Sequence, residues 1–159
     1  MNLSLEITGL DSLLDAFARA PDVTARNLRI AVKEGASMVQ REARQTHRFQ
    51  TRHGRLERSV EVSSLGESGA SASATVFLDE AVAGYGAAIH DGSEPHMIYP
   101  RNKRLLRWPV AGGFCFAPYV NHPGTKPDQF LYTAAELMQP AVEMRIQQGV
   151  NDAIQEAGL

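Results

Sequence analysis

The chain has 159 residues, the size of one domain, and its 43% hydrophobic and 21% charged content excludes a disordered tail or a fibrous repeat. With 16 Lys+Arg against 18 Asp+Glu the formal net charge is −2, so the molecule is not a polycation built to coat nucleic acid. A lone cysteine, Cys115, provides neither an internal disulfide nor a thiolate zinc site, and no stretch approaches the ~20 apolar residues of a membrane span.

The start of the chain also lacks the basic-then-apolar order of a signal peptide, so the expectation is a soluble protein made and kept in the cytoplasm. The small net charge hides a split. Residues 1–60 carry ten basic and seven acidic side chains, net +3, whereas residues 61–159 carry six and eleven, net −5.

Leu3, Leu5 and Ile7 alternate with polar residues, which predicts a short half-buried strand ended by Gly9. A short helix follows, capped by Asp11 or Ser12, carrying Leu13, Leu14 and Phe17 and closed by Pro21. From Asp22, the residues Leu28, Ala31, Val32, Gly35, Met38, Val39 and Ala43 keep the i, i+3, i+4, i+7 spacing of an amphipathic helix. Arg26, Lys33, Ser37, Arg41, Arg44 and Arg48 fall on its opposite face, and the basic run continues through Arg52, Arg55 and Arg58 with only Glu34 and Glu42 nearby.

After a break at 51–54, Leu56, Val60 and Val62 predict a strand; 66–73, small and flexible, is a hairpin connection; 75–78 is the returning strand and 85–90 a third. The proline- and glycine-bearing stretch 91–104 predicts a loop, as does 121–128. Between them, 105–108 and 114–120 are short strands about a turn at 111–113, kept near sheet edges by Pro109 and Pro118. Apolar residues from Phe130 to Ile154 predict a C-terminal helix over 128–157, kinked or restarted at Pro140. With strand and helices in 3–48, sheet in 56–120 and a final helix, the order lacks βαβ alternation. It predicts one α+β domain over 1–159: a mainly antiparallel sheet with the long helix and the C-terminal helix packed on one face.

No catalytic pattern emerges. A serine elbow, a phosphate loop and a dinucleotide fingerprint are all missing, Cys115 between Phe114 and Phe116 reads as a buried, inert thiol, and Trp108 as a core anchor. His90, His96 and His122 lie in no metal-ligand spacing, and the expectation is that they are loop residues capping backbone groups or lining a contact. The sequence calls for no cofactor and no metal. Its two richest loops, the first ending in Arg101, Lys103 and Arg104 and the second carrying His122 and Lys126, combine fixed shape with exposed donors, as a binding contact requires. The candidate interaction surface is therefore Arg41, Arg44, Arg48, Arg52, Arg55, Arg58, His96, Arg101, Lys103, Arg104, His122 and Lys126.

The order of motifs resembles a known family. Thr51, Gly54-Arg55-Leu56 and Ser59-Val60 after the helix resemble the Thr-Gly-x-Leu-x-x-Ser-Ile element of small tail-component proteins of long-tailed bacteriophages. Tyr85, His90-Asp91-Gly92, Pro95-His96, Pro100, Lys103, Leu105-Leu106 and Trp108-Pro109 resemble that family's central loop and following strand. His122-Pro123-Gly124-Thr125 with Phe130-Leu131 resembles its His-Pro-Gly-Thr signature entering the last helix, and Gly9-Leu10-Asp11 fits near the start. The chain departs from the pattern by inserting Arg52-His53 and by Ser93-Glu94.

The resemblance implies a non-enzymatic structural protein of a phage or prophage that joins head to tail or completes the tail. It implies a cyclic homo-oligomer such as a hexamer, with neck or connector and tail-tube or tail-terminator proteins as neighbours. Assembly would take place in the host bacterial cytoplasm, the protein ending in the virion tail or neck, with no membrane partner. The arginine stripe would then face acidic surfaces of a neighbouring subunit or touch passing DNA non-specifically, unless it is only a solvated face. Two rival functions stand beside this: a DNA-binding module using the face from Arg41 to Arg58, and a metal-dependent nuclease using His90, His96 and His122.

Overall fold

The structure is a computed structural model that describes residues 10–63, 66–68 and 71–158. The strand expected at Leu3, Leu5 and Ile7 lies outside them. Two long helices dominate, α1 (Leu10–Gln45) and α4 (Phe130–Ala157), so the architecture is α+β. Between them come α2 (Arg55–Ser59), β1 (Val60–Val62), β2 (Gly66–Ser68), β3 (Ser71–Ser73), β4 (Val76–Leu78) and α3 (Gly86–His90). Four more strands follow, β5 (His96–Ile98), β6 (Leu106–Val110), β7 (Gly113–Ala117) and β8 (Val120–His122). No described helix is long and apolar enough to cross a membrane.

α1 and α4 run antiparallel, with Asn27 bonded to Glu156 at one end and Arg145 paired with Glu34 further along. They approach closely because their seam is built from small residues: a β-carbon on Gly149 would lie 2.9 Å from that of Ala31, and one on Gly35 3.0 Å from Val142 Cγ1. At the other end of the pair, Ala43 of α1 and Phe130 and Ala134 of α4 close a compact core with Leu56, Val60 and Ala83. Phe49, Val76, Leu78 and Ile89 pack around it.

Several expectations are corrected. Pro21 does not close a first helix; α1 continues through it. The residue four positions earlier, Phe17, is exposed, so the carbonyl that loses its amide partner there can be hydrated. α4 likewise runs as one element through Pro140.

The strand expected from Leu56 begins only at Val60. Leu56, Ser59 and Val60 are buried at i, i+3, i+4, the spacing of a helical turn, with Gly54 at φ 64° turning the chain into α2. The stretch 85–90 is not a third strand: Tyr85 is the N-cap and Gly86–His90 form helix α3. Asp79 accepts the amides of Ala81, Val82 and Ala83 in a turn, and Gly86-Ala87-Ala88 has no β-branched residue to favour extension.

The strands do not make one sheet. β1 and β4 pair in the register Val60↔Leu78, and β2 and β3 extend that hairpin. β5 pairs with β8 and β6 with β7, each an antiparallel two-stranded ladder. The long helices are therefore packed chiefly on each other, with β1, β3 and β4 against α1, rather than side by side on a common sheet.

Candidate interaction surface

The stretch expected as the loop 91–104 contains β5, and the loop expected at 121–128 begins inside β8, its partner strand. Pro95 and Pro100 bracket β5, and all three of its residues are exposed, so no burial alternation marks it in the sequence. Together the two loops form the neck of an arm. Ser93 and Thr125 exchange two backbone hydrogen bonds of 3.0 Å, the Ser93 hydroxyl accepts the Thr125 amide, and Asp128 N–H reaches Ile89 O at 2.9 Å. Glycine is required at both turns: Gly92 (φ 83°) would place a β-carbon 2.8 Å from Thr125 O, and Gly124 (φ 88°) would drive one into Ser93 O.

Beyond the neck, His96 and His122 face each other across the ladder, ring centroids 5.1 Å apart. His96 Nδ1 bonds Glu94 O and His122 Nδ1 accepts the Gly124 amide, so both rings fix loop backbone. His90 does not join them. It is a buried residue of α3, 5% exposed, with Nδ1 2.6 Å from Asp91 Oδ1 and its ring edge-on to Phe130 and Tyr132. Among the described residues no three His, Cys, Asp or Glu side chains are gathered to hold a metal ion.

Among the described residues, the distal ladder β6–β7 rests on no other element beyond marginal contact. Its register puts Arg107 opposite Phe116 and Pro109 opposite Phe114, all on one face, with the Arg107 guanidinium 3.6 Å over the Phe114 ring. Phe114 is 52% and Phe116 58% exposed, so the apolar strand expected to bury Cys115 keeps its flanking aromatics in solvent. Cys115 and Trp108 lie on the other face, half-buried and outside the core. A two-stranded arm has no second layer to cover its faces, and its aromatics stay in water. Tyr99 and Tyr119, both exposed, meet where the two ladders join, centroids 6.1 Å apart.

The arginine stripe is less free than its spacing suggests. Arg26 pairs with Glu156, and Arg44 donates to Val60 O at 2.7 Å and lies 3.6 Å from Glu61. Arg48 reaches Asp128 at 3.4 Å, and Arg55 donates to Val82 O. The Glu156 carboxyl is held below its ordinary value by hydrogen bonds from Arg26 and then Asn27. The neutralising partners come from distant positions, which is why Glu34 and Glu42 alone looked insufficient. Arg41, Arg52 and Arg58 are exposed, as are Arg101, Lys103 and Arg104 on the arm and Lys126 beside its neck.

The sequence gives no sign of an apolar groove of about 630 Å³ between α1, α4, α3 and β4, lined by Val32, Val39, Val76, Leu131, Ala135 and Val142 with His90 and Asp91 at its wall. No local motif encodes it, because its walls come from residues far apart in sequence, among them Gly35 and Ala36 of α1, Leu78 of β4 and Ile146 of α4. The aromatic alternation at Phe114 and Phe116, beside the turn at Gly112, was the visible signal for the arm. Comparison with protein-family models, with curated proteins and with solved structures gives no match.

Proposed function

We propose that this chain is a structural virion protein of a tailed phage or prophage, a ring-forming subunit that joins head to tail or completes the tail. The observation that carries the reading is the arm: the two loops bearing the ordered phage-like motifs meet at one neck and hold out an aromatic ladder that no element among the described residues covers. A monomer gains nothing from exposed phenylalanines on a projecting hairpin, whereas an assembling subunit needs such a surface. On this reading the protein works in the virion, is assembled in the host bacterial cytoplasm, and has no catalytic task.

The test is genetic and visual. A phage deleted for this gene should yield filled heads and unjoined or incomplete tails in electron micrographs, rescued by supplying the chain in trans. Normal, infectious tailed particles without it overturn the proposal.

A further inference from the structure

We propose that the arm of one copy seats in the α1–α4 groove of a second copy, a head-to-tail contact; this rests on the ring-subunit reading above and names the partner of the arm. Both halves of the contact are present in one chain, and neither has a partner among the described residues. The arm offers Phe114 and Phe116 on one exposed face, and the groove offers an apolar hollow of about 630 Å³, within the range of sites that enclose a compact apolar guest. A projection and a recess at different places on the same subunit make a heterologous interface, which propagates and closes into a ring when the rotation permits.

Charge selects the same pairing. Residues 93–125 carry Arg101, Lys103, Arg104 and Arg107 against Glu94, net +3, and none of these residues is in an ion pair among the described residues. α4 carries Glu136, Glu143, Asp152 and Glu156 against Arg145, net −3. Exposed Glu136 and Glu143 follow groove residues Ala135 and Val142 directly and form no ion pair among the described residues, and Asp91 adds a mostly exposed carboxylate at the groove wall. A basic arm entering an acid-edged groove is steered and oriented by that field.

A polar requirement inside the groove points the same way. Asp91 engages His90 Nδ1, and Nε2 is left buried without a hydrogen-bond partner. Buried polar atoms are seldom left so, and an occupant bearing a hydroxyl would satisfy it. The arm brings two, on Tyr99 and Tyr119.

Complementation between two variants tests the contact. Phe114→Ser with Phe116→Ser disables the arm, and Ala135→Arg blocks the groove; all three positions are exposed, so the fold should survive, as circular dichroism will verify. The purified wild-type chain should self-associate in sedimentation experiments, more weakly as salt rises, and each variant alone should associate at least ~100-fold more weakly. Mixing the two should restore one arm and one groove and give a heterodimer that grows no further. The proposal is overturned if the wild type stays monomeric up to about 1 mM, if either variant assembles like the wild type, or if native mass spectra show the groove filled by a small apolar molecule instead of a second copy. Those results would leave the ring-subunit reading to the deletion phage, which tests it separately.

Discussion

The backbone of Gly124 lies so close to the carbonyl of Ser93 that no β-carbon fits between them. This contact locks the neck of the arm, because the reciprocal Ser93–Thr125 hydrogen bonds form only when the two strands are that near. Gly124→Ala should therefore cost about 2–3 kcal/mol in urea unfolding or detach the arm locally, read as rapid proteolysis between 93 and 125. Gly112→Ala is the control: its φ of 87° is equally unsuited to alanine, but nothing lies within 4 Å, so only backbone strain of about 1 kcal/mol is expected. Equal effects at the two positions would show that the close approach is unimportant.

Asp128 joins that neck to the end of α1. Its Oδ2 accepts the amides of Arg48 at 2.6 Å and Phe49 at 2.9 Å, and the residue is only 8% exposed. Removing the carboxylate strands two amides where water has little access, so Asp128→Ala should destabilise the protein by about 2–4 kcal/mol, and Asp128→Asn, which keeps one oxygen, by less. Chemical denaturation of the two variants checks the order; an alanine variant as stable as the wild type refutes it.

The long helices were legible because their apolar spacing persists over many turns, and the β6–β7 hairpin because Gly112 marks its turn. Pro21 misled because a proline stops a helix only when the freed carbonyl and the ring have nowhere to go, which a sequence does not state. Leu56 and Val60 fit either period when so few residues are compared, and tertiary burial of Ser59 decided for the helix. His90 looked like a loop residue until α3 placed it against Phe130. The charge split also changes shape: four of the six basic residues after residue 60 are on the arm, so the acidic remainder belongs chiefly to α4 and the sheet region. Neither the groove nor the pairing of the two loops could be read, since both depend on residues far apart in sequence.

The helix seam yields a ranked pair. Alanine at either seam glycine gains roughly 1 kcal/mol of helix propensity, so the sign depends on what the new methyl meets. At Gly149 it meets Ala31 Cβ at 2.9 Å and Asn27 O at 3.3 Å, both rigid, and the helices must separate. At Gly35 it meets only the Val142 side chain, at 3.0 Å, which has some room to turn. Gly149→Ala should therefore lower stability by about 1–2 kcal/mol while Gly35→Ala stays within ~1 kcal/mol of the wild type. Thermal melts of the two variants decide the matter, and the reverse order would mean the seam is looser at Gly149 than the contacts indicate.

Glu57 makes stability depend on acidity. Burial is the largest single influence and works against its charged form, but the hydrogen bond from Thr51, its own backbone amide and the neighbouring His47 and Arg58 together outweigh it, holding the carboxyl below its ordinary value of 4.5. A carboxyl whose folded value is depressed stabilises the fold fully above its unfolded value and loses that contribution as pH falls through the folded one. Unfolding free energy should thus drop below pH 4.5 more steeply in the wild type than in Glu57→Gln, which has no proton to take up there. Because Glu57 lies in α2, whose Leu56 and Ser59 enter or border the core, the acid effect should be global, visible by circular dichroism of the two long helices. Parallel pH profiles for the two proteins would show that Thr51 and Glu57 contribute nothing to the folded state.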